Sequence, residues 1–203
     1  NAGARDVFLI EEPIAAAIGA KLPIHKPQGS MIIDIGGGTT DIAVISLSGI
    51  VRSVNLKIAG DKFNTDIIGY LRDEFKLLIG EKTAESVKIA IGSVAPGDPM
   101  EAEVRGRDLV TGLPREVVIT DADIREAMGQ SILGLIDGIK EVLETTPPEI
   151  LGDIMHRGIV LSGGGALLHG LDVLLQNMLK IPVTVTEDPL TAVARGAGIV
   201  LED

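Results

Sequence analysis

One short stretch, Asp34-Ile-Gly-Gly-Gly-Thr-Thr-Asp41, decides the fold of this 203-residue chain. Apolar residues 31–33 lead into it and apolar residues 42–45 lead out, so its glycines should form a turn between two buried strands. Glycine lacks a Cβ and tolerates unusual backbone angles, which lets backbone N–H groups converge on an anion. The stretch therefore predicts a phosphate-binding hairpin, although a purely structural glycine-rich hairpin would have the same local sequence.

Two other phosphate motifs do not fit this stretch. Dinucleotide sites and P-loops need a glycine loop that opens a helix, and the P-loop also needs a Lys before Ser or Thr. Here the chain continues as a strand instead. Thr39 and Thr40 add possible hydroxyl donors. Asp34 could hold the waters of a phosphate-bound Mg²⁺, because that ion usually keeps several of its waters.

A second glycine cluster follows the short apolar run at residues 159–162 and consists of Gly163, Gly164 and Gly165. We expect an apolar helix over about residues 167–179, so this turn should have strand-to-helix geometry. A helix N-terminus favours negative charge and would suit a phosphate or a flat ring. The structural alternative is an ordinary helix-entry turn. Two glycine turns in one small domain suggest a shared ligand.

The dipeptide Glu11-Glu12 precedes Pro13 and the Ala-rich segment 14–19. Proline suits the first helical position, and the acids suit the positive end of the helix dipole, so a structural explanation is sufficient. The functional alternative is that one carboxylate orients a water for attack on a γ-phosphate.

The remaining pattern predicts a layered α/β unit with a smaller insert. Asp61 should cap a helix that Gly80 ends, Thr83 should cap a helix to about residue 91, and Thr120 should cap a long helix to about residue 144. Residues 101–109 and 115–120 should pair as a hairpin. A helical segment at 149–155, a strand at 183–186 and a last helix from Pro189 complete the prediction.

The composition of the chain limits the classes of function that it can have. The chain is 45% hydrophobic but only 2% aromatic, so we expect an aliphatic core. A net charge of −11 without any basic run argues against nucleic-acid binding. Cysteine is absent, which excludes disulfides and thiol chemistry, and the three histidines are scattered, so no metal cluster is expected. No apolar run reaches the roughly 18 residues that a bilayer span requires, and no signal peptide is visible at Asn1.

The order of these elements resembles the actin/chaperone/sugar-kinase ATPase superfamily. Glu12-Pro13, the first hairpin, Ala59-Gly60-Asp61, the second glycine turn and residues 192–197 all follow its arrangement. Within that superfamily, the chain resembles the MreB family of bacterial actin homologues. This closer similarity lies in residues 8–13, 80–85, 105–114 and 146–149.

The resemblance implies half of an actin-like ATPase, with a ribonuclease H-like sheet, flanking helices and an inserted α+β subdomain. Residues 1–28 would be the linking helix from a missing first domain. Residues 29–59 and 132–203 would form the second large subdomain, and residues 60–131 the inserted small subdomain. We therefore expect a fragment with half of the nucleotide site.

The resemblance also assigns ATP and Mg²⁺ as cofactors and gives roles to residues. Glu12 would position the attacking water, and Asp34 would serve the Mg²⁺ shell through water. The other nucleotide-binding residues would be Gly36, Gly37, Gly38, Thr39, Thr40, Gly60, Asp61, Glu85, Lys88, Gly163, Gly164 and Gly165. From local sequence alone, Glu85 and Lys88 would be an exposed helical pair at three-residue spacing.

In the family, ATP-dependent filaments organise cell-wall synthesis beneath the membrane and maintain cell shape. The resemblance thus implies a cytoplasmic, membrane-associated filament protein with a RodZ-type membrane-anchored partner. We expect ATPase activity of the full-length protein, little turnover by this chain alone and no direct membrane contact. Two alternatives stay open, namely half of a DnaK-type chaperone ATPase domain, which shares both the glycine turn and Glu-Pro, and a non-catalytic docking module.

Overall fold

The computed structural model describes residue 3 and residues 7–202. The helices are α1 (Glu12–Gly19), α2 (Gly60–Glu74), α3 (Glu81–Ile91), α4 (Asp121–Glu144), α5 (Pro148–Arg157), α6 (Leu171–Leu179) and α7 (Ala192–Glu202), with 3₁₀ turns at Gly164–Leu167 and Pro189–Thr191. The strands are β1 (Ser30–Ile35), β2 (Thr40–Ser46), β3 (Gly49–Leu56), β4 (Leu77–Leu78), β5 (Glu101–Asp108), β6 (Pro114–Thr120), β7 (Ile159–Ser162) and β8 (Val183–Val185).

Five strands form a mixed sheet in the order β3-β2-β1-β7-β8. The first three pair antiparallel, whereas β1, β7 and β8 run parallel. Strand β1 is buried along its whole length, because both faces of the sheet are covered. Met31, Ile33 and Ile35 belong to the core on one face and Ile32 to the core on the other, as the two-residue period of a strand requires. The core is aliphatic, as predicted, with Phe63 the largest fully buried side chain.

A second sheet of three strands has the order β4-β5-β6. The predicted hairpin of β5 and β6 is confirmed. Strand β4 was not predicted, since two residues carry no periodic pattern and only their pairing with β5 defines them. Helix α2 therefore ends at Glu74 rather than at Gly80, with Phe75 as its C-cap and Lys76 in a left-handed conformation at φ 53°.

The capping predictions have mixed outcomes. Helix α4 begins as expected, because Thr120 and Asp123 form a capping box at its N-terminus. Asp61 lies inside the first turn of α2, and the N-cap is Ala59, without a side-chain bond. Helix α3 begins at Glu81 with Gly80 as its N-cap, so Thr83 does not cap it. Both predictions were wrong, and at α2 the helix start is set by hydrogen bonds to the first glycine turn.

The predicted subdomain boundaries remain a prediction. The three-stranded sheet and helices α2 and α3 lie within residues 60–131, and the five-stranded sheet lies in the rest of the chain. Helix α4, however, runs across residue 131 without a break. Of the predicted linking segment 1–28, only Glu12–Gly19 is helical among the described residues, and residues 1, 2 and 4–6 lie outside them. None of the described helices is long and apolar enough to cross a membrane.

Helices α1 and α7 pack with their backbones in unusually close contact. A Cβ atom added at Gly19 would lie 1.8 Å from the carbonyl oxygen of Ala192, and one added at Gly196 would lie 1.8 Å from that of Ala15. Two glycines on facing helices therefore allow an approach that no side chain permits. This contact fixes the position of α1, whose first residue is Glu12.

Candidate functional site

The site lies where β1 and β7 end. These two strands are adjacent and parallel, with Asp34 opposite Ser162. The glycine turns that follow them, beginning at Gly36 and Gly163, therefore lie side by side. Crevices at the carboxyl ends of parallel strands are the usual ligand sites of α/β sheets. The structure thus brings together the two turns that were expected to share a ligand.

Both turns open into a cleft of about 1140 Å³. Ligand pockets for small molecules usually have volumes of roughly 300–1,000 Å³, so this cleft is large enough for a nucleotide. The predicted residues that line it are Glu12, Asp34, Gly36, Gly37, Gly60, Asp61, Glu85, Lys88, Gly163, Gly164 and Gly165. Three predicted residues, Gly38, Thr39 and Thr40, do not line it.

The geometry of the first turn explains the exception of Thr40. The N–H of Gly36 donates to the carbonyl of Thr39 at 2.9 Å, which closes the turn around Gly37 and Gly38. Thr40 is fully buried at the start of β2, and its hydroxyl donates to the carbonyl of Ile58 at 2.6 Å. The predicted phosphate contact of the Thr40 hydroxyl is therefore not supported, because its proton is already used within the protein.

The two glycine turns differ in what their own packing demands. A Cβ at Gly37 would meet nothing closer than an Asp61 carboxylate oxygen at 3.7 Å, which is an ordinary contact distance. A Cβ at Gly163 would lie 2.3 Å from the carbonyl oxygen of Ile35, and Gly163 also has a φ of 81°. The second turn thus needs glycine for its own structure. At Gly37 the protein leaves the space open, as a ligand-binding turn would.

The second turn does not lead directly into an α-helix. It enters the 3₁₀ turn Gly164–Leu167, and α6 begins only at Leu171, after Gly170 at φ 78°. His169, between these elements, donates its N–H to the carbonyl of Gly92, so pairing with a distant loop delays the helix. The prediction of glycine amides at an α-helix N-terminus was therefore wrong. The second glycine turn contributes the start of a 3₁₀ turn to the cleft instead.

Asp34 and Glu12 line the cleft, and a third carboxylate, that of Asp41 on β2, is close enough to affect both. Asp34 is 5% exposed, and its Oδ1 atom has no hydrogen-bond partner among the described residues. Burial raises the pKa of Asp34, the Ser162 hydroxyl lowers it, and Asp41 on the neighbouring strand raises it again. Burial also raises the pKa of Glu12, and the charges of Asp41 and Asp34 raise it further.

This concentration of negative charge fits a divalent cation. A buried carboxylate oxygen without a protein donor could accept hydrogen bonds from the waters of Mg²⁺, which binds proteins through few direct ligands. No group of three or more acidic or histidine side chains able to hold a metal by itself occurs among the described residues. The ion would therefore depend on further oxygen ligands, such as water and phosphate.

We expect Asp34→Asn to raise the free energy of unfolding of the ligand-free protein by about 0.5–2 kcal/mol at neutral pH. Because the folded-state pKa of Asp34 is raised, its ionisation opposes folding above that pKa and has no effect below the ordinary value of an aspartate. The gain should therefore shrink as the pH falls through this window. Denaturant unfolding of both proteins across the acid range measures it, and a variant less stable than the parent at neutral pH would contradict the prediction.

The start of α2 is tied to the first glycine turn. The N–H groups of Gly60 and Asp61 donate to the carbonyls of Gly36 and Gly37 at 3.1 and 2.8 Å. These bonds satisfy amides that are free at the start of every helix, which explains why α2 needs no side-chain cap. The backbone amides of Gly60 and Asp61 are therefore already bonded within the protein. The group that Asp61 offers to the cleft is its side-chain carboxylate, which lies near Gly37.

A polar cluster joins α2 and α3 at the cleft wall. Lys88 Nζ donates to the carbonyl of Gly60 at 3.0 Å and to Glu85 Oε2 at 2.7 Å, and Asn64 Nδ2 donates to the same carboxylate atom at 2.7 Å. The bond from Lys88 lowers the pKa of Glu85, against the effect of burial, and the bond from Asn64 lowers it further. Glu85 and Lys88 are thus more than an exposed helical pair.

Sequence reasoning missed Asn64, which is 3% exposed and lines the cleft. Its position four residues after Gly60 puts it on the same face of α2, a spacing that could have identified it. The apolar part of the lining was also missed, because nothing distinguishes these residues from core residues in sequence. They include Ile89, Leu167, Leu168, Pro189 and Leu190.

Comparison with known proteins decides the family. A family model described as MreB/Mbl protein matches residues 1–203, which is the whole chain. The chain belongs to the MreB/Mbl family. This confirms the resemblance drawn from the motifs and sets aside the alternative of a DnaK-type chaperone.

Relatives within the MreB/Mbl family have been characterised by sequence and by structure. The cell shape-determining protein MreB of Escherichia coli (strain K12) is 54% identical over 203 residues, covering all of this chain but 58% of the relative. Crystal structures of MreB5 of Spiroplasma citri with ADP and with AMPPNP match 98% of the chain with a TM-score of 0.96 and 43% identity. The ADP-bound match covers 61% of the MreB5 chain.

A solved structure with lower sequence identity has the same fold. The MamK double helical filament matches 95% of this chain and 59% of its own chain, with a TM-score of 0.79 and 25% identity. Together with MreB5, it confirms the predicted actin-like α/β fold class. The MreB/Mbl chain thus spans less than two thirds of the length of these three proteins.

Proposed function

We propose that the protein containing this chain is an ATP-binding, filament-forming cytoskeletal protein that organises cell-wall synthesis and maintains cell shape. The observation that carries this proposal is the convergence of both glycine turns, Asp34 and the Glu85–Lys88 pair on one cleft. Further support comes from the match to MreB5, which binds ADP and AMPPNP, at a TM-score of 0.96.

Within the cleft, we assign Gly36 and Gly37 to the phosphates and Asp34 to the water shell of Mg²⁺. The bound ion would supply charge neutralisation for the phosphates. Glu12 would hold the attacking water, since its raised pKa makes this carboxylate a stronger proton acceptor than an ordinary glutamate. Gly60 and Asp61 remain candidates for the passage of the ribose and phosphates.

The nucleoside would lie between helix α3 and the second glycine turn. Glu85 and Lys88 offer a carboxylate and an ammonium for ribose and adenine, and their mutual hydrogen bond keeps both side chains in place. Gly163, Gly164 and Gly165 on the opposite wall offer a flat backbone surface. The exposed apolar side chains of Ile89 and Leu167 could cover the faces of a base.

We expect this chain alone to bind nucleotide weakly and to hydrolyse little ATP. Turnover needs an aligned water and neutralised phosphate charge in a closed site, and the longer relatives have additional chain that could close it. ATP hydrolysis by the isolated chain at the rate of a full-length relative would refute this expectation.

Filament assembly, a cytoplasmic location at the membrane and a RodZ-type partner belong to the same proposal. Assembly is supported by the likeness to the MamK filament.

The RodZ-type partner would bind at helices α5 and α6, where the apolar side chains of Met155, Val173 and Met178 are about half exposed. Fluorescence anisotropy with the labelled cytoplasmic part of such a regulator tests this docking, and absence of binding at concentrations that saturate a full-length relative would refute it.

The decisive experiment is calorimetry of MgATP binding to this chain beside Asp34→Ala and Gly37→Val. We expect weak binding by the parent and none by either variant, because one loses the carboxylate at the cation and the other fills the space left for phosphate. Gly97→Val is the matched control, since Gly97 lies in an exposed loop with nothing within 4 Å of an added Cβ. Unchanged binding by Gly37→Val would refute the phosphate role of the first turn. No binding by the parent would instead favour the docking module.

A further inference from the structure

Arg195 on α7 is not among the residues that line the cleft, yet its guanidinium group is directed to three backbone carbonyls. It donates to the carbonyl oxygens of Gly19 at 3.2 Å, Glu187 at 2.8 Å and Asp188 at 3.2 Å. It also donates to the hydroxyl of Thr191 at 2.7 Å. A single side chain thus connects three segments of the protein.

The carbonyls belong to two segments, the end of α1 and the connection between β8 and α7. Gly19 is the last residue of α1, where helix carbonyls lack partners within the helix, and α1 begins at Glu12. Glu187 and Asp188 begin the loop 187–191, which forms most of the connection between β8 and α7. Arg195 therefore fastens the far end of the Glu12 helix to this loop.

The ion pair with Asp188 is a minor part of this arrangement. The atoms Arg195 Nη1 and Asp188 Oδ2 are 3.4 Å apart, and the two side chains are 34% and 61% exposed. Solvent screens such a pair strongly. The bonds to backbone carbonyls are the features that define the position of the loop.

The loop in turn supports the second glycine turn. Asp188 has a φ of 45°, a left-handed conformation that is unfavourable for a residue with a side chain. The carbonyl of the next residue, Pro189, accepts the N–H of Gly163 at 3.0 Å, and Pro189 itself lines the cleft. Bonds from Arg195 to Asp188 therefore lead through Pro189 to Gly163.

We infer that Arg195 is a positioning residue for the ligand of the cleft, because it holds the loop 187–191, and through it the second glycine turn, in register with α1. The inference rests on the proposed nucleotide site. It requires arginine rather than any cation, since the planar guanidinium presents donors in two directions at once. Nη2 bonds Gly19 and Glu187, whereas Nη1 bonds Asp188 and Thr191. The single nitrogen of a lysine cannot serve both pairs at once.

The test uses Arg195→Ala and Arg195→Lys in the whole chain, with Arg52→Ala as the matched control. Arg52 also donates to backbone carbonyls, those of Thr145 at 2.9 Å and Val51 at 3.0 Å, but it does not line the cleft or contact the loop. Two quantities are measured for each protein. One is the Kd of MgADP by calorimetry, and the other is the hydrogen-exchange rate of the Gly163 amide by NMR.

We expect both Arg195 variants to raise the Kd and to accelerate exchange at Gly163, each by about tenfold, while the β1 amides exchange at the parental rate. The control should keep parental values for Kd and for Gly163 even if its melting temperature falls. Parental Gly163 exchange in Arg195→Ala would overturn the inference, as would equal acceleration throughout β1, which reports general destabilisation. Full rescue by Arg195→Lys would also overturn it, because charge alone would then suffice.

The two readouts separate this inference from the proposed function. If the parent does not bind MgADP, the proposed function of this chain fails, whereas exchange at Gly163 still tests the positioning role. If the parent binds but Arg195→Ala keeps the parental Kd, the inference fails and the nucleotide site remains.

Discussion

Gly196→Ala should lower the free energy of unfolding by about 3 kcal/mol, at the upper end of the usual cost of overpacking. The added Cβ would lie 1.8 Å from the carbonyl oxygen of Ala15 and 2.9 Å from the backbone nitrogen of Gly19. Neither atom belongs to a side chain that could rotate away, so α1 and α7 must separate. For a chain of this length, we expect a fall in melting temperature of roughly 6–12 °C, measurable by circular dichroism.

Gly198→Ala is the matched control, because it makes the same chemical change two residues further along α7. A Cβ at Gly198 would have nothing within 4 Å. Alanine loses less conformational freedom than glycine on entering a helix, so this variant should gain roughly 0.5–1 kcal/mol. Equal melting temperatures for the two variants would contradict the close packing of α1 against α7.

Glu12→Gln should reduce ATP turnover by about a hundred- to ten-thousand-fold in a protein that carries this chain at the full length of its relatives. The proposed role of Glu12 depends on a carboxylate that can accept a proton from water, which an amide cannot do. Glutamine has the same size, so the Kd of MgATP should change little. Single-turnover phosphate release and calorimetry on the same preparation measure the two effects.

Glu11→Gln provides the control for that experiment. Glu11 occupies the N-cap position of α1, makes no side-chain cap bond and is not among the residues that line the cleft. Its replacement should leave turnover within a few-fold of the parent. Because the pKa of Glu12 is raised, parental turnover should also begin to fall at a higher pH than an ordinary glutamate would cause. Loss of turnover in Glu11→Gln but not in Glu12→Gln would reverse the assignment.

Much of the site could be predicted from sequence because its parts are local. The apolar runs on both sides of residues 34–41 determine two paired strands, and the pattern Thr120-x-x-Asp123 determines where α4 begins. Spacing along a helix put Glu85 and Lys88 within reach of each other. These features depend on periodicity and on bonds between near neighbours, so they require no knowledge of the rest of the chain.

Other features depend on residues that are distant in sequence. Thr40 donates its hydroxyl to Ile58, and a contact between Gly92 and His169 delays α6, so local patterns gave the wrong expectation for both. The start of α2 is set by the carbonyls of the first glycine turn, which is why Asp61 does not cap it.

The sequence by itself determined most of the elements, the two glycine turns and the family, because these are encoded in local composition and spacing. Only the tertiary structure decided how the elements meet. It brought Asn64 to the Glu85 carboxylate and joined Arg195 to Gly19 across 176 positions of the chain. Hydrogen bonds and close packing of this kind depend on the relative placement of whole helices and strands, and no local pattern specifies that placement.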